Sequence, residues 1–155
     1  MRLTDFLSPE TIKVPLVGTT KKDVLRELVE LTCRREDQRF CDAVFETIME
    51  RERLMSSGIG QGIAIPHGMW THENSFAGSL GIPAQPIDFD SIDGQPVEIV
   101  FLLVCSENHS NIKLKALARI SRLLHRKGFR TGLATSTSVD GAMRVIVDEE
   151  ARHRI

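Results

Sequence analysis

Apolar residues in the first third of the chain recur at the spacing of two amphipathic helices. The first pattern follows Thr19 and Thr20 and predicts a helix that begins near residue 21. Its apolar positions are Val24, Leu25, Leu28, Val29 and Leu31. A second pattern predicts another helix over 40–54, with its inner positions at Val44, Phe45, Ile48 and Met49. Because each helix has one apolar face, we expect both to cover a neighbouring element.

The middle of the chain changes to strand-like patterns. Glycines alternate within 56–62 and predict a loop, and 63–65 predicts a short strand that a proline ends. A second strand is predicted over 76–82, also limited by a proline. The run 97–104 is apolar and rich in β-branched residues, which predicts a strand buried on both faces. An Asp-Gly pair shortly before this run indicates a turn.

Helical spacing returns in the last third of the chain. The segment 112–126 predicts a helix, and Gly128 fits its end. The inner face of this helix is expected to carry Leu114, Leu117, Ile120, Leu123 and Leu124. A final helix is predicted after Ser138, a favourable N-cap residue, with Asp140 in its first turn. Helices before and after a central set of strands indicate a layered α/β fold, and the length fits one domain spanning 1–155.

Composition, charge and cysteine content exclude several classes of protein. Of the 155 residues, 41% are hydrophobic, and the net charge of −1 does not favour binding to nucleic acid or to an anionic membrane. The three cysteines have no CxxC spacing, which argues against a disulfide framework and a zinc site. We expect neither a membrane-spanning segment nor a secretory signal, because no apolar run has the required length. A reducing cytoplasm is the predicted compartment.

The segment that most suggests chemistry is SSGIGQGIAIPHG, residues 56–68. Pro66 fixes the backbone ahead of His67 and Gly68 permits a sharp turn after it, so we expect the imidazole to be held rigidly at the end of a strand. Backbone amides of such a glycine-rich loop can form an anion-binding nest. Imidazole is a good nucleophile near neutral pH, and phosphoryl transfer mainly requires positioning and charge compensation. The segment therefore fits phosphoryl transfer to His67.

Other interpretations of these residues compete with that one. A single histidine after a strand is most often a surface or packing residue, and glycine clusters usually mark turns. The segment lacks the GxGxxG and GxxxxGK[ST] spacings, so a nucleotide site is a weaker alternative. The remaining histidines do not stand at zinc-ligand spacing, and no metal site is predicted. Trp70, three residues after His67, fits either packing beside the site or a partner surface.

Residues 58–68, GIGQGIAIPHG, resemble the signature of the type-2 IIA proteins of the bacterial phosphotransferase system. This family includes the fructose and mannitol IIA domains and the nitrogen-regulatory IIA proteins. The segments 50–54 and 86–97 resemble, respectively, the family's arginine-containing helix end and the stretch that leads into its central strand. The opening residues 3–10, together with the pair 21–22, are most similar to the nitrogen-regulatory branch.

The resemblance implies a single α/β domain with a mixed β-sheet flanked by helices on both sides. It implies that His67 is phosphorylated on Nε2, with Nδ1 held by a backbone carbonyl. It also implies that Arg51, Ser57 and Gly68 surround the phosphoryl group. The implied donor is an HPr-type phosphocarrier protein, and neither a metal nor another cofactor is expected at the site. The implied activity is that of a phosphotransferase component with a phosphohistidine intermediate.

One position departs from the family pattern. Lys113 stands where the family often has a second histidine, at the start of the helix after the central strand. Lysine keeps a positive charge near the phosphoryl group but lacks the acid–base function of histidine near neutral pH. Two functions therefore stay open. The chain is either a phosphoryl carrier that serves another chain, such as a membrane transporter subunit, or a regulatory module that binds partner proteins without efficient phosphoryl transfer.

Overall fold

A computed structural model describes residues 1–73 and 75–153 of the chain. Within these residues the structure contains one six-stranded sheet and five α-helices. The strands are β1 (Ile12–Leu16), β2 (Gly58–Gly60), β3 (Ile63–Ala64), β4 (His67–Met69), β5 (Phe76–Pro83) and β6 (Ile99–Cys105). The helices are α1 (Lys21–Thr32), α2 (Gln38–Leu54), α3 (Ser110–Leu124), α4 (Lys127–Ala134) and α5 (Val139–Arg152).

The sheet is mixed, as the family resemblance implies. Its strand order is β1-β5-β6-β3-β2, and β4 lies beside β6 beyond the end of β3. The central strand β6 is antiparallel to β5 but parallel to both β3 and β4. At the two edges, β1 is parallel to β5 and β2 is antiparallel to β3.

Strand β6 separates two hydrophobic cores. Ile99, Phe101 and Leu103 point into the core covered by α3, α4 and α5. The alternate residues of the strand, including Leu102, point into the core covered by α1 and α2. Every residue of β6 is buried, which confirms the prediction of a strand enclosed on both faces. The α/β fold with helices on both sides of the sheet is likewise confirmed.

Side-chain caps set the start of three helices. Thr20 caps α1 by accepting the Asp23 N–H at 3.2 Å, and Ser138 caps α5 by accepting the Gly141 N–H at 3.0 Å. Both helices therefore begin where the sequence predicts. Asp37 caps α2, so this helix begins two residues before the apolar pattern that predicted it.

Strands β1, β2 and β4 and helix α4 were not predicted from the sequence. Strand β1 contains Pro15, and proline in a short apolar run argues against a strand except at a sheet edge, where β1 lies. Helix α4 differs from the sequence prediction, in which Gly128 ends the preceding helix. In the structure α3 ends at Leu124, and Gly128 lies in the first turn of α4.

Leu114 does not lie on the inner face of α3, contrary to the sequence prediction. Its side chain is 60% exposed, whereas Ala116 takes the buried position on that turn. The described helices also contain no segment that combines the length and the hydrophobicity needed to span a bilayer.

Candidate active site

The glycine-rich segment folds as a tight hairpin rather than as the loop predicted over 56–62. Strands β2 and β3 pair, and the turn between them has positive φ angles of 98° at Gly60, 57° at Gln61 and 79° at Gly62. Glycine adopts such angles without steric cost, which explains the glycines at positions 60 and 62. The Gln61 N–H donates to Asp93 Oδ2 at 2.9 Å and fixes the tip of the hairpin. The chain leaves this hairpin directly toward His67.

His67 is the first residue of β4 and is anchored by the central strand. It lies opposite Leu103 of β6, whose N–H donates to the Pro66 carbonyl at 3.0 Å. The imidazole is half-buried and lines an open hollow of about 490 Å³, here called the His67 hollow. Its walls are Arg51, Glu52, Leu54, Met55, Ser56, Ser57, Ile59, Ile65, His67, Leu117 and Ser121.

The two nitrogens of the His67 ring differ in accessibility. Nδ1 is shielded from solvent and has no hydrogen-bond partner among the described residues. The Pro66 carbonyl favours the protonated ring, but the backbone hydrogen bond that the family resemblance implies for Nδ1 does not reach ordinary geometry. Nε2 is not among the shielded, unpaired nitrogens of the described residues.

The surroundings of His67 favour its neutral form. Burial lowers the pKa of His67 below its ordinary value of 6.5, because a charged ring loses hydration there. The positive charges of Arg51 and Lys113 lower this pKa further, whereas the Pro66 carbonyl and the Glu52 carboxylate raise it. At neutral pH the imidazole consequently keeps a free lone pair, as a nucleophile requires.

Gly68 has a different role from the sharp turn that the sequence suggests. It lies inside β4, without a positive φ, and packs against α2. A Cβ atom at Gly68 would lie 2.8 Å from Cγ1 of the fully buried Ile48, which is closer than side-chain packing permits. The absence of a side chain thus lets α2 approach the strand, and this contact brings Arg51 on the last turn of α2 to the His67 hollow.

A buried ion pair that the sequence did not predict supports the floor of the site. Glu52 is 8% exposed, and its carboxylate accepts the Ser57 N–H with both oxygens at 3.1 Å. Lys21 Nζ lies 2.6 Å from Glu52 Oε2 and donates to the Phe89 carbonyl at 3.3 Å. Since 31 residues separate Lys21 from Glu52, only the fold brings them together.

The predicted site residues differ in their position relative to the His67 hollow. Arg51, Ser57 and His67 all line it, and the Ser57 hydroxyl is buried without a hydrogen-bond partner among the described residues. Gly68 lies behind the imidazole and acts through its contact with α2. Lys113 is not in the wall of the hollow, but its charge acts on His67. Across 1–73 and 75–153, no group of three or more His, Cys, Asp or Glu side chains is arranged to hold a metal ion.

The fold is that of a known family. Residues 5–149 match the family described as "Phosphoenolpyruvate-dependent sugar phosphotransferase system, EIIA 2". The chain therefore belongs to the type-2 IIA family of the phosphotransferase system. Within that family it is similar to nitrogen regulatory proteins. It is 39% identical to the nitrogen regulatory protein of Bradyrhizobium diazoefficiens over 150 residues, which cover 94% of this chain and 95% of the relative.

Two further comparisons support this assignment. The chain superimposes on the crystal structure of nitrogen regulatory protein IIA-Ntr from Neisseria meningitidis with a TM-score of 0.82 and 30% identity, covering 92% of this chain and 97% of the other. It is also 34% identical to part of the fructose-specific EIIABC component of Bacillus subtilis, over 94% of this chain and 23% of that protein. The family resemblance and the likeness to the nitrogen-regulatory branch are both confirmed.

Proposed function

We propose that this protein is a cytoplasmic phosphoryl carrier that accepts a phosphoryl group on Nε2 of His67 from an HPr-type phosphocarrier protein. The observation that carries the proposal is the geometry of His67. The surroundings favour its neutral ring, the ring and Arg51 line the same hollow, and Nδ1 is shielded, which leaves Nε2 to react. In the transfer, a bond forms between Nε2 and phosphorus while the bond from phosphorus to the donor's histidine breaks. The donor imidazole leaves with the electron pair.

Each remaining site residue has a defined part in this reaction. Arg51 and Lys113 compensate the negative charge of the phosphoryl oxygens, since both already act electrostatically on the His67 ring. The unpaired Ser57 hydroxyl can donate a hydrogen bond to one of those oxygens. Gly68 lets α2 approach β4 closely, and this helix carries Arg51 to the His67 ring. The pair of Lys21 and Glu52 holds the Ser57 backbone in place.

We also propose a regulatory role, which the surface around the hollow and the similarity to nitrogen regulatory proteins support. Exposed apolar side chains line the hollow: Leu54 is 88% exposed, Met55 74% and Ile59 48%. Exposed apolar side chains grouped in this way are typical of protein-docking surfaces. A phosphoryl group adds nearly two negative charges beside this surface, so partner proteins can distinguish the two states.

Phosphorylation of the purified protein tests this function directly. The protein is incubated with phosphoenolpyruvate, the first enzyme of the system and an HPr-type protein, and intact mass spectrometry follows the gain of one phosphoryl group. We expect an acid-labile, alkali-stable phosphate that is absent in His67→Gln and unaffected in His125→Gln, because His125 lies on the exposed end of α3. A phosphate that persists in His67→Gln would contradict the assignment.

The second candidate is a regulatory module that binds partners without efficient transfer, and the lysine at position 113 favours it. If Lys113 limits transfer, Lys113→His should increase the rate of phosphoryl acceptance several-fold, since histidine adds an acid–base group. Pull-downs with phosphorylated and unphosphorylated protein then test regulation. Identical partners at equal affinity in both states would remove the proposed switch.

A further inference from the structure

The wall of the His67 hollow contains a carboxylate whose charge opposes the proposed reaction. Glu52 follows Arg51 on the last turn of α2 and lines the same hollow as the imidazole. Phosphoryl oxygens are negatively charged, so an ionised carboxylate in this wall would repel them. The Glu52 charge also raises the pKa of His67, against the effect of Arg51. Unless another group compensates this charge, Glu52 would weaken the site.

The contact of Glu52 with the hairpin explains why a carboxylate stands at this position. Both of its oxygens accept the Ser57 N–H at 3.1 Å. Hydrogen bonds to an ionised acceptor are among the stronger ones in proteins. The side chain of Glu52 is only 4% exposed, so little water is available to screen its charge. The same group therefore anchors the Ser57 backbone and places a negative charge beside the hollow.

Lys21 supplies a compensating charge from outside the wall of the hollow. Its Nζ lies 2.6 Å from Glu52 Oε2 and donates to the Phe89 carbonyl at 3.3 Å. The ammonium group also lies 5.5 Å from the centroid of the Phe89 ring, which is fully buried. The Phe89 carbonyl accepts the Ser56 hydroxyl as well, and Ser56 Oγ accepts the Gly58 N–H at 3.0 Å. One carbonyl thus fixes both the cation and the start of the hairpin.

We propose that Lys21 is a positioning residue for phosphoryl transfer, which acts through Glu52 by cancelling the charge of that carboxylate while leaving it bound to Ser57. The inference rests on the proposed function, in which His67 accepts the phosphoryl group. Lys21 and Glu52 together contribute no net charge, so the cations Arg51 and Lys113 can dominate at the ring. Removal of one member of the pair would leave a charge of one sign beside the hollow.

Titration of the His67 ring by NMR tests this charge cancellation without a phosphoryl donor. Lys21→Met leaves the carboxylate uncompensated and should raise the pKa of His67, whereas Glu52→Gln leaves the cation and should lower it. The double variant is neutral again, so its His67 pKa should return close to that of the unmodified protein. A purely structural role of the pair would not produce shifts of opposite sign. Lys22→Met removes the same charge at an exposed neighbouring position and should have little effect.

The kinetics of phosphoryl acceptance from a phosphorylated HPr-type protein test the role in transfer. At about pH 8, where carboxylates are ionised, Lys21→Met should lower the maximal rate about tenfold. The donor concentration at half-maximal rate should not change, because Lys21 is not in the wall that the donor approaches. The double variant should recover most of the rate, since the glutamine at position 52 can still accept the Ser57 N–H. Lys22→Met should transfer at the rate of the unmodified protein.

Shifts of the same sign in both single variants, or a double variant as slow as Lys21→Met, would overturn the proposal. Circular dichroism shows whether each variant is folded. Should Lys21→Met fail to fold, the double variant is compared with Glu52→Gln: loss of Lys21 should not slow transfer there, and a tenfold loss would also overturn the proposal. Absence of phosphate on the unmodified protein would instead reject the proposed function, and the ring titration would still decide whether Lys21 cancels the Glu52 charge.

Discussion

At the scale of single residues, the charges around His67 would act differently on the free ring and on the phosphorylated ring proposed above. In the free protein Arg51 and Lys113 disfavour a positive charge on the ring, and burial acts in the same direction. In the phosphorylated protein the same two cations would face the phosphoryl oxygens and stabilise them. Arg51 and Lys113 would thus favour the neutral, nucleophilic ring before the transfer and the phosphorylated ring after it.

The pH dependence of phosphoryl acceptance should reflect the lowered pKa of His67. Its neutral ring persists as the pH falls to 6.5, so the acid limb of the rate profile should have its midpoint below 6.5. Arg51→Gln removes a cation and should raise the pKa of His67, which moves this midpoint upward. NMR titration of the His67 ring measures its pKa in the unmodified protein and in Arg51→Gln. A midpoint at or above 6.5 in the unmodified protein would contradict the proposed electrostatics.

The same pKa shift affects stability with a defined sign. The unfolded chain takes up its proton near pH 6.5, before the folded protein does, because the pKa of His67 is lower in the folded state. The free energy of unfolding should therefore decrease as the pH falls from 6.5 through the folded-state pKa. In His67→Gln this contribution should be absent. Urea unfolding of both proteins across this pH range tests the difference.

Breaking the pair of Lys21 and Glu52 should destabilise the protein, because a buried carboxylate would lose its cation. Lys21→Met leaves the Glu52 carboxylate, whose side chain is 4% exposed, without its cation. We expect the free energy of unfolding to fall by about 2–3 kcal/mol, because an unpaired buried charge is costly. Lys22→Met, at an exposed neighbouring position, is the matched control and should change little. Equal effects of both substitutions in urea unfolding would show that the ion pair has no special role.

At the scale of secondary-structure elements, the packing of α2 on β4 determines the geometry of the site. Gly68→Ala places a Cβ atom 2.8 Å from Ile48, which cannot move freely inside the core. We expect a loss of about 2 kcal/mol and slower phosphoryl acceptance, because α2 must shift away from His67. Gly128→Ala is a suitable control, since a Cβ atom there meets no atom within 4 Å.

A double-mutant cycle identifies the cause of that loss. Ile48→Ala removes the side-chain atoms that an alanine at position 68 would meet, although it leaves a cavity of its own. The double variant should be more stable than the sum of the single effects predicts, by about 1 kcal/mol. Additive effects would mean that the Ile48 contact is not what requires glycine at position 68.

The sequence predicted correctly those elements that apolar spacing and cap residues within the element itself define. The apolar spacing and the cap residues Thr20 and Ser138 located α1 and α5 correctly, and the apolar run of β6 indicated its burial. The edge strand β1 and the short helix α4 depend on tertiary packing and were missed. For the site, the motif indicated His67, but the contact of Lys21 with Glu52 arises only when distant segments meet.

At the scale of the whole molecule, β6 links the two cores, so the chain from 1 to 155 should unfold as one unit. Phe101 is fully buried in one core and Leu102 in the other. Phe101→Ala and Leu102→Ala should each lower the free energy of unfolding by about 3 kcal/mol. Each variant should keep a single transition detected alike by fluorescence and circular dichroism.

An exposed position provides the comparison for these two core variants. Val147 on α5 is 48% exposed, and Val147→Ala should change the stability by no more than about 0.5 kcal/mol. If Phe101→Ala instead produced two separate transitions, the two sides of the sheet would be independent folding units and the single-domain interpretation would be wrong.

The close contact between Gly68 and Ile48 also acts as a pivot for α2. Phe40 lies eight residues before Ile48 on this helix and Arg51 three residues after it, which corresponds to about 12 Å and about 4.5 Å along the axis. A tilt about the contact therefore moves these two side chains in opposite directions, with the larger displacement at Phe40. A displacement of Phe40 would therefore move the Arg51 guanidinium by a smaller distance in the opposite direction.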